Sequence, residues 1–254
     1  MKKVLVIGIG AGNPDYVTIQ AVNALNQVDV FFLLDKGEEK DDLAKLRREI
    51  CERFIREPSY RLVEVRDPGR DRSAPYKAEV ESWREKRAVL YASLIRDELK
   101  DGETGAFLVW GDPALYDGTL LILQRLLDDG TAAFDWEVIP GISAVQALAA
   151  RHRVPLNRVG EAIQITPARR LAEGLPPGVD NVVVMLDPGT TLRAIDPKDL
   201  DIYWGAYLGT EDEVLVSGRL SERIDEIEQL RARKRTEKGW IMDTYLLRRS
   251  PGPA

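Results

Sequence analysis

The sequence predicts an α/β protein in two parts, with a mostly parallel sheet in its N-terminal half and a mixed sheet in its C-terminal half. Three observations point there. From Val4 to about Ala150, short apolar runs alternate with amphipathic stretches, the pattern of parallel strands joined by crossover helices. Past that point apolar runs follow one another with fewer helical stretches between them, as in a sheet with antiparallel neighbours. Three of the N-terminal runs end directly in glycine-containing turns, at the carboxyl edge that a parallel sheet offers to ligands. A domain junction is expected near residues 112–118, dividing the chain into residues 1–115 and 116–254.

The elements follow in order. Met1-Lys2-Lys3-Val4-Leu5-Val6-Ile7-Gly8 begins like a secretory signal, but its apolar run stops at glycine far short of a membrane span, so residues 4–7 are expected as a first buried strand. A helix over 18–28 carries Ile19, Val22 and Leu25 at 3.6-residue spacing, a stripe expected to pack on the sheet. A second strand covers 30–34. The helix over 41–55 puts Leu43, Leu46, Ile50 and Phe54 on one face, with solvated charges elsewhere. Residues 61–65 form a third strand, followed by the turn-rich Asp67-Pro68-Gly69-Arg70-Asp71-Arg72. In a long helix over 75–100, Tyr76, Val80, Trp83, Leu90 and Leu94 make one stripe, and Arg87 falls on it. A guanidinium there must be paired, snorkel outward or face a polar ligand.

A strand over 105–110 ends at Gly111-Asp112-Pro113, and a helix over 119–127 precedes a strand at 136–139. The turn Pro140-Gly141 then opens a helix to about residue 150. Later strands are expected over 162–166, 181–186, 202–208, 213–217 and 240–247. The basic block Arg231-Ala232-Arg233-Lys234-Arg235 reads as a solvated turn, and the tail Ser250-Pro251-Gly252-Pro253-Ala254 is expected to fray.

Composition narrows the chemistry. With 254 residues and 44% apolar content the chain can bury a sizeable core. One cysteine, Cys51, excludes an internal disulfide, and one histidine, His152, leaves no set for a structural zinc site or a Ser-His-Asp triad beyond a single imidazole. A cytoplasmic, metal-free protein is expected. A net charge of −6 argues against a general nucleic-acid or anionic-membrane surface. His152, just past a helix, reads as a capping or surface residue.

Chemistry concentrates in three loops: Gly8-Ile9-Gly10-Ala11-Gly12-Asn13-Pro14, Gly111-Asp112-Pro113 and Pro140-Gly141-Ile142-Ser143-Ala144. Each alone is compatible with a structural turn. Together, at three strand ends, they can enclose a nucleoside in one crevice using backbone groups and small side chains. A dinucleotide fingerprint would want glycine leading straight into a helix where Asn13 and Pro14 stand, although Asp35 at the end of the second strand suits a ribose hydroxyl.

The pattern Gly8-x-Gly10-x-Gly12-x-Pro14-x-x-x-Thr18, with Gly111-Asp112-Pro113-x-x-Tyr116 and Pro140-Gly141-Ile142-Ser143, resembles the tetrapyrrole methylase family over essentially the whole chain. The resemblance implies two α/β domains, S-adenosylmethionine (SAM) bound in the cleft between them and released as S-adenosylhomocysteine, and a homodimer. It places SAM contacts on Gly10, Pro14, Trp110, Gly111, Asp112, Leu115, Ser143 and Ala144, and less sharply on Leu186, or its neighbour Met185, and Gly209. The segments 35–43, 67–72, 76–88 and 107–117 are similar to the branch that acts on precorrin-5 in aerobic cobalamin biosynthesis. That implies methylation at C-1 with hydrolytic loss of acetate to give precorrin-6A; another precorrin methyltransferase, diphthine synthase or a non-catalytic SAM sensor are the alternatives.

A polycarboxylate substrate on an acidic protein requires a local cluster of cations, for which Lys36, Arg47, Arg70, Arg72 and Arg87 are the candidates. Each also reads as an ordinary surface ion pair. Acetate loss needs water at the acetyl carbonyl. Asp35, Asp112 and Tyr116 are candidates to orient it, with loop fixation the competing role for the last two, so no catalytic residue is assigned.

Overall fold

The computed structural model describes residues 1–35, 41–69, 76–171, 174–175, 177–189 and 191–250. The chain forms two compact units, Met1–Ser143 and Ala144–Ala254. The division thus falls later than residue 115, for a reason visible in the first sheet. Strands β1 (Lys3–Gly8), β2 (Val30–Asp35), β3 (Arg61–Arg66), β4 (Thr104–Val109) and β5 (Asp135–Ile139) are all parallel, in the order β3-β2-β4-β1-β5. Because β5 pairs along β1, the segment from 116 to 139 belongs to the first unit.

Both faces of this sheet are covered, so its central strands are apolar without alternation. Leu5 and Ile7 join Phe31, Ala106 and Leu108 on one face, under α1 (Ile19–Leu25) and α2 (Asp41–Phe54). Val4 and Val6 join Phe32, Phe107 and Val109 on the other, under α3 (Tyr76–Ser93) and α4 (Thr119–Asp128). Each fully buried side chain of this size contributes roughly 1.5–3 kcal/mol. In α1 the inward residues are Ala21, Ala24 and Leu25, while Ile19 is 80% exposed. The buried stripe is thus rotated from the expected one; Thr18 caps the helix, its Oγ1 accepting from Ala21 N at 3.0 Å. Helix α3 ends in a π turn over Leu94–Glu98.

The second unit holds α5 (Ala144–His152), β6 (Ile163–Pro167), β7 (Asn181–Met185), β8 (Leu200–Ala206), β9 (Val214–Arg219), α6 (Leu220–Lys238) and β10 (Asp243–Arg249). Its sheet runs β6-β7-β10-β8-β9, with β6 and β7 parallel and the other pairs antiparallel, the mixed sheet that the sequence predicts. Where β8 carries Gly205, Leu148 of α5 and Leu208 occupy the space a Cβ would take.

Helix α6 corrects the reading of residues 231–235 as a solvated turn. Leu220, Ile224, Ile227 and Arg231 are its buried stripe, and it ends at Gly239 in the left-handed conformation (φ 76°). Arg231 is buried between Asp187 and Asp243, with Nη2 3.0 Å from Asp187 Oδ2 and Nε 2.7 Å from Asp243 Oδ2. Trp204 Nε1 and Tyr245 Oη donate to the same two carboxylates. Residues 251–254 lie outside the described residues.

Candidate active site

Strands β4, β1 and β5 are neighbours, so the loops that leave their carboxyl ends meet. Gly10 and Gly111 form an antiparallel bridge, with Gly111 N donating to Gly10 O at 2.8 Å. A Cβ on Gly8 would stand 2.6 Å from Gly141 N, and one on Gly141 would overlap the Gly111 carbonyl oxygen. The three backbones therefore touch, and glycine is the residue that permits it. Gly10 has φ +81°, with Tyr16 Cβ against it.

Asp112 ties two loops together. Its Oδ1 accepts from Ala114 N and its Oδ2 from Gly141 N, both at 2.8 Å. With both oxygens engaged in this way, Asp112 serves as a loop-fixing residue, the role that competed with water orientation. Pro14 opens a 3-10 turn capped by Asn13, whose side chain accepts from Asp15 N at 2.9 Å. Leu115 N donates to Asp112 O, and Ser143 lies against Gly111. Gly10, Pro14, Trp110, Gly111, Asp112, Leu115 and Ser143 thus all sit on loops of the first unit, and Ala144 begins α5 of the second.

Leu186 and Gly209 belong to the second unit, after β7 and β8. Leu186 has φ +57° and is 59% exposed, a conformation costing about 1–3 kcal/mol for a non-glycine residue. Met185 is the last residue of β7, opposite Thr244. Tyr207 also has positive φ (51°), held by Tyr207 N to Met242 O at 3.0 Å and Oη to Trp240 O at 2.5 Å. Gly209 N donates to Glu213 Oε2 at 2.8 Å. Tyr116, on the β4 loop, has φ 56°.

Of the candidate substrate cations, Lys36, Arg70 and Arg72 lie outside the described residues. Arg47 and Arg87 come together in one cavity with Tyr91, Trp110, Asp117 and Thr119. Arg87 is 4% exposed and holds Asp67 with both ends of a fork, Nε to Oδ1 at 2.7 Å and Nη2 to Oδ2 at 2.5 Å. The Trp83 ring lies 4.3 Å from its guanidinium carbon. Burial lowers the Arg87 pKa, but the Asp67 hydrogen bonds and nearby charges outweigh it, so the group stays charged. For Arg47 burial prevails and the pKa falls, Asp117 opposing and Arg87 adding to the shift; its Nε donates to Leu108 O at 3.1 Å. Burial pushes the Tyr91 phenol up to about 12, leaving it protonated at neutral pH.

Sequence reasoning missed Tyr91 and Thr119 here. Tyr91 stands one turn after Arg87 on α3, so the same stripe carried the signal. His152 Nε2 donates to Trp204 O at 3.0 Å, and burial lowers its pKa, so it packs in the second unit as a neutral ring. No group of His, Cys, Asp or Glu among the described residues could hold a metal ion.

Glycine loops brought together at the carboxyl ends of adjacent parallel strands mark an α/β protein of the kind that binds ligands at that edge of its sheet. Residues 3–223 match the Tetrapyrrole (Corrin/Porphyrin) Methylases model, and the chain belongs to that family. It is 48% identical over 250 residues to a precorrin-6A synthase (deacetylating) of Sinorhizobium sp, covering 98% of this chain and 96% of the relative. A crystal structure of a cobalamin synthesis related protein (CobF) from Corynebacterium diphtheriae matches with TM-score 0.85 and 41% identity, over 99% of this chain and 100% of that one. The fold also matches a uroporphyrin-III C-methyl transferase of Thermus thermophilus complexed with S-adenyl homocysteine, at TM-score 0.56 and 19% identity, over 96% and 91% of the two chains. This membership replaces the dinucleotide reading of the first loop.

Proposed function

We infer that the chain is a SAM-dependent C-methyltransferase of cobalamin biosynthesis that methylates precorrin-5 at C-1 with hydrolytic loss of acetate, giving precorrin-6A. The observation that carries this is the 48% identity to the Sinorhizobium enzyme along nearly the full length of both chains. The glycine loops fit the donor: where Gly8, Gly111 and Gly141 meet there is no side chain, and backbone N–H and C=O groups stand at the strand ends. Bound SAM supplies a methyl group already activated on a sulfonium, so transfer to carbon asks for alignment more than for acid–base help.

The proposed donor contacts are Gly10, Pro14, Trp110, Gly111, Asp112, Leu115, Ser143 and Ala144. Leu186 and Gly209 are proposed too, on the family pattern and on the costly backbone at Leu186. Arg47 and Arg87 are proposed to receive substrate, with Lys36, Arg70 and Arg72 completing a cation cluster. A homodimer and a cytoplasmic setting complete the proposal, the first of them open to sedimentation velocity. No helix among the described residues is long and apolar enough to cross a membrane.

A substrate panel tests the reading. Offered uroporphyrinogen III, precorrin-2 and precorrin-5 with SAM, the protein should consume precorrin-5 alone and yield precorrin-6A by mass. Turnover of either of the other two in its place would move the chain to a different step of the family.

A further inference from the structure

The carboxyl ends of β2 and β4 border a cavity of about 50 Å³ with an apolar lining from Phe32, Phe107 and Val109. Its polar groups are not all consumed by one another. Asp67 takes Nε and one terminal nitrogen of the buried Arg87, which leaves the second terminal nitrogen, Nη1, with no partner among the described residues. Tyr91 is fully buried, and its hydroxyl reaches Thr119 Oγ1 at 3.5 Å, the outer limit of a hydrogen bond. Arg47 brings a second guanidinium to the same space, opposed by Arg87 and drawn by the Asp117 carboxylate, so that with Asp67 two cations meet two carboxylates. The donors left over, Arg87 Nη1 and Tyr91 Oη, call for a small acceptor such as an acetyl oxygen.

Volume narrows the choice. A water needs roughly 10–15 Å³ of such space, so this cavity takes about four heavy atoms, the size of an acetyl group or an acetate ion. Its position narrows it further: Trp110, on its wall, leads directly into the Gly111-Asp112-Pro113 loop of the donor site. An acetyl group on the carbon that receives the methyl must lie next to that donor.

We propose that this cavity receives the acetyl group of the substrate and holds the acetate formed from it, an assignment that rests on the precorrin-5 reading above. Tyr91 Oη and the open Arg87 nitrogen donate to the acetyl oxygen as negative charge develops there. Water oxygen bonds to the acetyl carbon. The bond from that carbon to the ring breaks with its electron pair left on the ring carbon that takes the methyl group, and both water protons pass to solvent as acetate forms. Tyr91 and Arg87 are then catalytic residues for deacetylation, and Asp67 positions Arg87.

The test uses the full chain with S-adenosylhomocysteine bound. Isotope-labelled acetate, followed by NMR, should bind saturably, and benzoate should not. Tyr91→Phe should weaken acetate by about five- to tenfold and lower kcat with KM for precorrin-5 unchanged. Thr119→Val, which removes the weak partner of that hydroxyl without touching the phenol, should leave acetate affinity at or above the wild-type value. A Tyr91→Phe enzyme with raised KM and intact kcat would overturn the proposal, because the cavity would then hold a peripheral carboxylate. Acetate affinity equal to wild type in an active Tyr91→Phe enzyme, or weakened as much in Thr119→Val as in Tyr91→Phe, overturns it as well. A wild-type protein inert toward precorrin-5 overturns the functional reading, and this assignment falls with it.

Discussion

Gly141 shows what a single residue contributes to this site. A Cβ there would overlap the Gly111 carbonyl oxygen and stand 2.9 Å from Gly8 Cα, and neither obstacle is a side chain that can turn away. Gly141→Ala must therefore separate the loops, at about 1–3 kcal/mol of stability. SAM affinity, measured by calorimetry, should fall at least about tenfold; unchanged affinity would show that the loop contact does not shape the donor site. The sequence exposed these glycines because close backbone approach leaves a direct mark on residue choice. It could not expose the partner of Arg87, since Asp67 lies twenty residues away and only the fold brings them together. For Asp112 loop fixation was legible as one of two roles, but not its partner, because Gly141 N arrives from a different strand.

Elements with a clean apolar period were readable, and α6 was not. Its stripe of Leu220, Ile224 and Ile227 continues through Arg231, whose charge hid the period although Gly239 marks the helix end. The fold accepts a charge there because two carboxylates enclose it. Asp187 shows the consequence for pH. Burial opposes its ionisation, but Arg231, Gly189 N–H and Tyr245 Oη outweigh that and hold its pKa below the usual carboxylate range. The folded protein therefore binds this proton less readily than the unfolded chain, and the resulting stability is present above about pH 3.9 and lost as pH falls through the folded value. Asp187→Asn should cost about 2 kcal/mol at neutral pH. In urea denaturation its deficit relative to wild type should shrink below about pH 3.9, while Asp243, raised by burial, titrates in both proteins. A deficit constant with pH would contradict the shift at Asp187.

At the scale of the molecule, the two-part α/β plan was legible from alternation and its loss. The boundary was not, because the return of β5 to pair beside β1 is a matter of sheet order, which local pattern does not encode. A chain of net charge −6 that takes a polycarboxylate needs cations gathered locally, and Arg47 and Arg87, which share one cavity with Asp117, are proposed for that part. The account requires methyl gain and acetyl loss to be two halves of one event. In a single turnover with precorrin-5 and methyl-labelled SAM, acetate and S-adenosylhomocysteine should appear in equal amounts, with the label on a tetrapyrrole that has lost its acetyl group. S-adenosylhomocysteine formed without acetate, and a labelled tetrapyrrole still carrying the acetyl group, would contradict it.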